Sequence, residues 1–263
     1  MTATPRPQSA AVLASLAALL LAACSAGPPP PPQQDRSQAH TYAAVGASET
    51  VGVGSDDPLV DAWPQLLFRQ SLPRGTVFVN LGIPGATVQE ALRAEVPEAV
   101  QLQPDIVTVW LNVNDLIAGV PPAVYERQLA DLVHQLRRGT AAAVLVANTP
   151  PLERLPAYLA CRPNPPPGSR TCPQEARGLP GPDAVVAMVN AYNDAVARVV
   201  KAEGAVLVDL HGVALEARAG GTDAVLVSAD GFHPSTAGHA EVAKAFAASL
   251  PAGLAARAKM TPP

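Results

Sequence analysis

Thr41-Tyr42-Ala43-Ala44-Val45-Gly46-Ala47-Ser48-Glu49-Thr50 is a short apolar run ending in small residues, the form of a buried strand that hands over to a loop at the carboxyl edge of a sheet. Runs of the same kind recur at Thr76 to Asn80, Ile106 to Leu111, Ala142 to Ala147 and Ala205 to Leu210, each closed by Gly, Asn, Pro, Asp or His. Segments of helical period lie between and after them, near Pro58 to Ser71, Thr87 to Leu102, Pro122 to Arg138, Asp183 to Glu203 and Ser235 to Leu250. Val185, Val189, Tyr192, Val196 and Val199 mark one helix face, with Asp183 expected to cap its start and Gly204 its end. Strands alternating with helices predict an α/β fold, a parallel sheet covered on both faces. No internal repeat is visible.

Of 263 residues, 48% are hydrophobic but only 4% aromatic, so Val, Leu and Ala must build the core. The net charge of −4 comes without any basic run, which argues against nucleic acid as a partner. Arg6 precedes an apolar stretch, Ala10 to Ala23, which at 14 residues is too short to span a bilayer. Its end, Leu21-Ala22-Ala23-Cys24, resembles the lipobox of bacterial lipoprotein signals. That resemblance implies removal of residues 1–23, acylation of Cys24 and a place in the cell envelope, facing the periplasm or the exterior. An ordinary secretory signal cleaved nearby is the alternative, and it also places the rest outside the cytoplasm.

Residues 24–40 read as a spacer, because Gly27 and the run Pro28 to Pro32 favour extended polyproline II. The domain is expected over 41–252, with a tail over 253–263. One stretch breaks its rhythm: Pro150 to Pro182 holds ten prolines and both Cys161 and Cys172 where a short connection would do. In an oxidising compartment those cysteines are expected to close a disulfide. Chain-entropy arguments value such a loop at about 3 kcal/mol. The insert is read as a lid or wall beside the site.

Four loops carry chemistry. Ser48 follows the first strand. Gly82, in Asn80-Leu81-Gly82-Ile83-Pro84-Gly85, follows the second and would bring a bare N–H near a ligand. Asn114, in Asn112-Val113-Asn114-Asp115, follows the third and offers amide donors. Asp230-Gly231-Phe232-His233-Pro234 precedes the last helix, and an Asp three residues before a His can bend back to accept its Nδ1 proton, leaving Nε2 as a base. Gly52 and Gly54 suggest a phosphate loop, but neither GxxxxGK[ST] nor GxGxxG is present.

In this order the four elements resemble those of the SGNH hydrolases, or GDSL esterases and lipases, over Thr41 to about Leu250. The resemblance implies a three-layer α/β/α, flavodoxin-like fold with strand order 2-1-3-4-5. It further implies Ser48 as nucleophile, Asp230 and His233 as its triad partners, and Ser48, Gly82 and Asn114 as oxyanion-hole donors. Ester hydrolysis through an acyl-enzyme would need neither cofactor nor metal. The substrate would be a lipid, an acetylated sugar or a small ester. Ala47 stands where the family has Asp, and Asn112 where Gly is usual, which bears on loop geometry and rate. GxSxG is absent around Ser48, against the α/β-hydrolase elbow. A non-catalytic envelope protein binding glycans or lipids, and an acyltransferase, are the competing readings.

The remaining candidates read as structural. His211 ends a strand, and His40, His134 and His239 have no evident partner. Asp56 and Asp57 suit a solvated helix start, and Trp63 and Trp110 suit the core. Oligomeric state is not legible.

Overall fold

The computed structural model describes residues 40–172 and 179–259. The leader, Cys24 and the proline spacer lie outside the described residues, as do the last four residues of the tail. In chain order the elements are β1 (Thr41–Gly46), α1 (Ser48–Val51), α2 (Pro58–Asp61), α3 (Trp63–Ser71), β2 (Val77–Asn80), α4 (Val88–Gln101), β3 (Ile106–Trp110), α5 (Val113–Ile117), α6 (Pro122–Thr140), β4 (Ala143–Ala147), α7 (Pro156–Cys161), α8 (Pro182–Glu203), β5 (Val206–Val208), α9 (Leu210–Ala219), a 3₁₀ turn (Asp223–Leu226) and α10 (Thr236–Ala258).

The five strands form one parallel sheet in the order β2-β1-β3-β4-β5. Alternate residues of each strand face opposite layers, as the pleat requires. Ala43, Val45, Val107, Val109, Val144 and Val146 pack with α4, α6 and α8. Tyr42, Ala44, Ile106, Trp110, Leu145 and Val208 pack with α3 and α10. The few aromatics are concentrated where they stack: Trp63 on Phe246 with centroids 4.3 Å apart, and Tyr125 on Tyr192, also at 4.3 Å. Because β1 has β2 on one side and β3 on the other, the loops after these three strands converge at the switch point.

Several boundaries differ from the sequence reading, each for a physical reason. Pro58 to Ser71 is two helices, because Ala62 is extended at ψ 142° just before Trp63-Pro64. Gly181, not Asp183, caps α8; Pro182 takes the first helical position, while Gly204 ends the helix at φ 66° as expected. The fifth strand stops at Val208, because Asp209 caps α9 by accepting from Gly212 N at 2.9 Å. His211 therefore opens a helix rather than ending a strand. The last helix does not stop at Leu250 but continues through Pro251, since Gly253 lies against Leu145 and Arg257 pairs with Asp105 beyond it.

A buried carboxyl fixes the end of β1. Glu95 on α4 is 1% exposed, and its Oε2 accepts from Gly46 N at 2.7 Å. Burial pushes its pKa up to about 8, with the Gly46 N–H opposing. The folded chain thus holds a proton on Glu95 that the unfolded chain has released once pH exceeds the ordinary value of 4.5. Stability from this group is complete below that value and declines as pH rises toward 8. Glu95→Gln keeps an acceptor for Gly46 and removes the titration. Its melting temperature relative to the unmutated chain should therefore climb steadily from pH 5 to pH 8; a difference independent of pH would refute the assignment.

Candidate active site

The site starts from how abruptly the chain turns after β1. A Cβ on Gly46 would lie 2.0 Å from Thr50 Oγ1 and 2.9 Å from the Trp110 carbonyl, so only glycine lets α1 fold back this tightly. Ser48 is the first residue of α1, where a backbone N–H has no intrahelical acceptor. Ser48 and Glu49 are both buried.

The second half arrives from the far end of the chain. A bridge between Val227 and Pro234, with Ser228 N bonded to the His233 carbonyl at 2.9 Å, closes the loop before α10. Gly231 provides the positive φ of 81° that the reversal needs. Within the loop, Asp230 Oδ1 accepts from Ser228 Oγ at 2.7 Å, Phe232 N at 2.7 Å and His233 N at 2.9 Å. Its Oδ2 lies 2.6 Å from His233 Nδ1. Partial burial opposes the charge on Asp230. The bonds from His233 Nδ1, the Phe232 N–H, the Ser228 hydroxyl and the His233 N–H outweigh it and bring the pKa down to about 2. With Nδ1 donating to this carboxylate, Nε2 is an acceptor, and it sits 3.0 Å from Ser48 Oγ.

Two contacts that the sequence reading did not anticipate align the halves. A Cβ on Gly54, at φ 96°, would lie 2.3 Å from the Pro234 carbonyl and 2.9 Å from His233 Cβ. The loop after α1 and the histidine loop thus meet backbone to backbone. His239, expected to lack a partner, has two: Nδ1 accepts from Trp63 N at 3.3 Å, and Nε2 donates to the Val53 carbonyl at 3.1 Å. Burial lowers its pKa, which suits a neutral ring that donates once and accepts once. His40 and His134 likewise pair, with Asp105 at 3.8 Å and Glu203 at 3.1 Å. His211 is tied to Asn148 and the Thr149 carbonyl, the structural role expected of it. Asp57 caps α2, and Trp63 is fully buried.

Gly82 and Asn114 are each engaged within the chain. The Gly82 N–H donates to Asn80 Oδ1 at 3.0 Å, and Gly82 packs against Thr50, two residues beyond Ser48. Asn80 also donates to the Thr50 carbonyl at 2.7 Å, tying the second loop to α1; its role was invisible in a residue that merely ends a strand. Asn114 Nδ2 donates to the Ala86 carbonyl at 3.0 Å, which leaves its second amide hydrogen. Asn112 donates across to the Ala147 carbonyl at 3.3 Å, a link between β3 and β4 that glycine could not make. Ala47 is buried in the core and supplies no carboxylate. Asp115 accepts from Val88 N, and burial brings its pKa up to about 6.

Beside the Ser48 and His233 pair opens a cavity of about 310 Å³, walled by Trp110, Leu152, Leu155, Leu159, Val213 and Phe232. The proline-rich insert supplies three of these leucines. Its helix α7 docks on the histidine loop through Ala157 N, 3.0 Å from the Gly231 carbonyl, and the Cys161–Cys172 disulfide closes the stretch behind it. The insert is therefore a wall. Among the described residues no group of three His, Cys, Asp or Glu side chains is arranged to hold a metal ion, and no helix is long and apolar enough to cross a membrane.

No curated protein matches the chain. Among solved structures, it is similar to an α/β hydrolase enzyme from the metagenome of Lake Arreo, at 23% identity and TM-score 0.60, covering 81% of this chain and 95% of that one. It is similar to phospholipase A1 from Streptomyces albidoflavus at 17% identity and TM-score 0.58, over 81% and 98%. The esterase EstA from Pseudoalteromonas sp. matches at 18% identity and TM-score 0.56, over 80% and 96%. These likenesses establish the fold. The model of the GDSL-like lipase/acylhydrolase family matches residues 44–241, from within β1 into α10. A match across most of the chain, spanning every loop described above, shows that the protein belongs to the GDSL-like lipase/acylhydrolase family of hydrolases.

Proposed function

We propose that the protein is a serine ester hydrolase that forms an acyl-enzyme at Ser48. The observation that carries this reading is the relay of Ser48 Oγ, His233 Nε2 at 3.0 Å, and Asp230 Oδ2 at 2.6 Å from Nδ1. His233 takes the hydroxyl proton as Oγ attacks the ester carbonyl, and Asp230 stabilises the imidazolium that results. Collapse of the tetrahedral adduct expels the alcohol, which leaves with the proton from Nε2. Water, deprotonated by the same nitrogen, then releases the acid and restores Ser48.

The oxyanion falls to the Ser48 N–H and the second Asn114 amide hydrogen, and to the Gly82 N–H once it exchanges Asn80 for the charged oxygen. A developing oxyanion is a stronger acceptor than a neutral amide oxygen, which favours that exchange. The apolar cavity beside Ser48 suits an ester with a hydrocarbon group longer than acetyl, closer to the lipid and small-ester readings than to an acetylated sugar. A non-catalytic role as a glycan or lipid binder leaves the aligned relay without a purpose.

Ser48→Ala should abolish hydrolysis of short p-nitrophenyl esters and labelling by a fluorophosphonate. Asp230→Asn should cost on the order of 10⁴ in kcat, by the tautomer argument. Turnover that survives Ser48→Ala would remove Ser48 from the mechanism, and an unmutated chain that neither labels nor turns over would favour the binding protein.

We further propose, from the leader and the Leu21-Ala22-Ala23-Cys24 ending, that Cys24 is acylated and anchors the hydrolase in the cell envelope. In a bacterial host, Cys24→Ser should eliminate incorporation of labelled palmitate and move the protein from the membrane to the soluble fraction. Unchanged membrane association without label would refute the anchor.

A further inference from the structure

Glu49 has no part in the relay, yet it sits beside it. It lines the cavity next to Ser48, is only 8% exposed, and holds Oε2 3.4 Å from Ser48 Oγ. His233 Nε2, at 3.0 Å, is the nearer acceptor for that hydroxyl. Other titratable side chains reach the same cavity, among them Arg154, Arg218, Asp223 and Glu241. None of those four is buried, and Arg218 and Glu241 are paired with Glu153 and Lys244. Among the described residues, Glu49 is thus the one buried acid in a wall whose larger members include Trp110, Leu152, Leu159 and Phe232. Burial raises its pKa, against its own backbone N–H, the neighbouring His233 and the Ser48 hydroxyl, and in either form the carboxyl accepts a hydrogen bond from a hydroxyl.

A plain hydrocarbon chain entering this cavity would strip Glu49 of water and return nothing. The chain concerned is the acyl group. Water must replace the alcohol during deacylation, so the alcohol side stays open while the acyl group remains seated in the walled cavity. The ester carbon bonds to Ser48 Oγ, so the acyl carbons within hydrogen-bonding reach of Glu49 are the first few from the carbonyl.

We propose that Glu49 is a specificity-determining residue, selecting acyl groups that carry a hydroxyl on carbon 2 or 3 over unsubstituted chains of equal length. The inference rests on the ester-hydrolase reading and specifies its substrate class. The hydroxyl gives Glu49 a hydrogen-bond partner within an otherwise apolar wall, and a site built to hydrogen-bond a substrate hydroxyl rejects the analogue lacking one.

The test compares kcat/KM on methyl hexanoate, methyl 2-hydroxyhexanoate, methyl 3-hydroxyhexanoate and methyl 2-aminohexanoate, followed by released acid. The unmutated protein should prefer one of the hydroxylated esters by about ten- to hundredfold. Glu49→Leu should reverse that order by speeding the plain ester and slowing the hydroxylated one, and Glu49→Gln, which still donates and accepts, should retain it. A hydroxyl preference below twofold, an order unchanged in Glu49→Leu, or a 2-amino ester as best substrate would each overturn the inference while leaving the hydrolase reading intact. An unmutated chain that turns over none of the esters would overturn both.

Discussion

The close approach at Gly46 is the constraint on which the site depends. With no side chain at that position, α1 folds back onto the end of β1, and Thr50 occupies the space a Cβ would need. Glu95 holds the same residue from the opposite layer through its N–H. Squeezed between a helix and a buried acid, the turn has one conformation, and Ser48 inherits its direction from it. Asn80 then joins the second loop to the first through the Thr50 carbonyl, so even the loop after β2 takes its position from this turn.

Electrostatics complete what sterics begin. Asp230 is 43% exposed at its side chain, a setting in which a lone carboxylate would be ordinary; its charge is stabilised by the N–H and O–H groups that the loop aims at it. The loop and the charge are interdependent, because without the carboxylate the Phe232 and His233 amides would face no acceptor here. His239, in the first turn of α10, shows the opposite solution, a buried ring whose lowered pKa suits the neutral form and which brackets α10 to the segment that follows Ser48.

Much of this was legible beforehand. The five strands and their two-sided burial followed from the apolar runs, because strands of a parallel sheet covered on both faces read as continuous apolar stretches, while their order in the sheet came from the family resemblance. Asp230 and His233 could be paired because the geometry between them is local, three residues apart. What escaped was contact between distant segments. Asn80, Glu95 and His239 each act through partners that sequence spacing cannot reveal: Asn80 on Thr50, Glu95 on Gly46, His239 on Val53. The engagement of Gly82 by Asn80 escaped for the same reason, since a strand-ending Asn two residues earlier reads only as a terminator. The split at Ala62 and the capping of α8 by Gly181 were local decisions in which proline position mattered more than helical period.

The Ser48–His233 contact joins residues 185 positions apart, and α10, the last element among the described residues, is seated beside it with His239 against Val53 and Trp63. A growing chain therefore carries Ser48 long before His233 can reach it. Under the proposed mechanism, a chain cut short before the histidine loop would keep the serine loop but hold no base beside it, so reactivity would wait for the far end of the domain to fold.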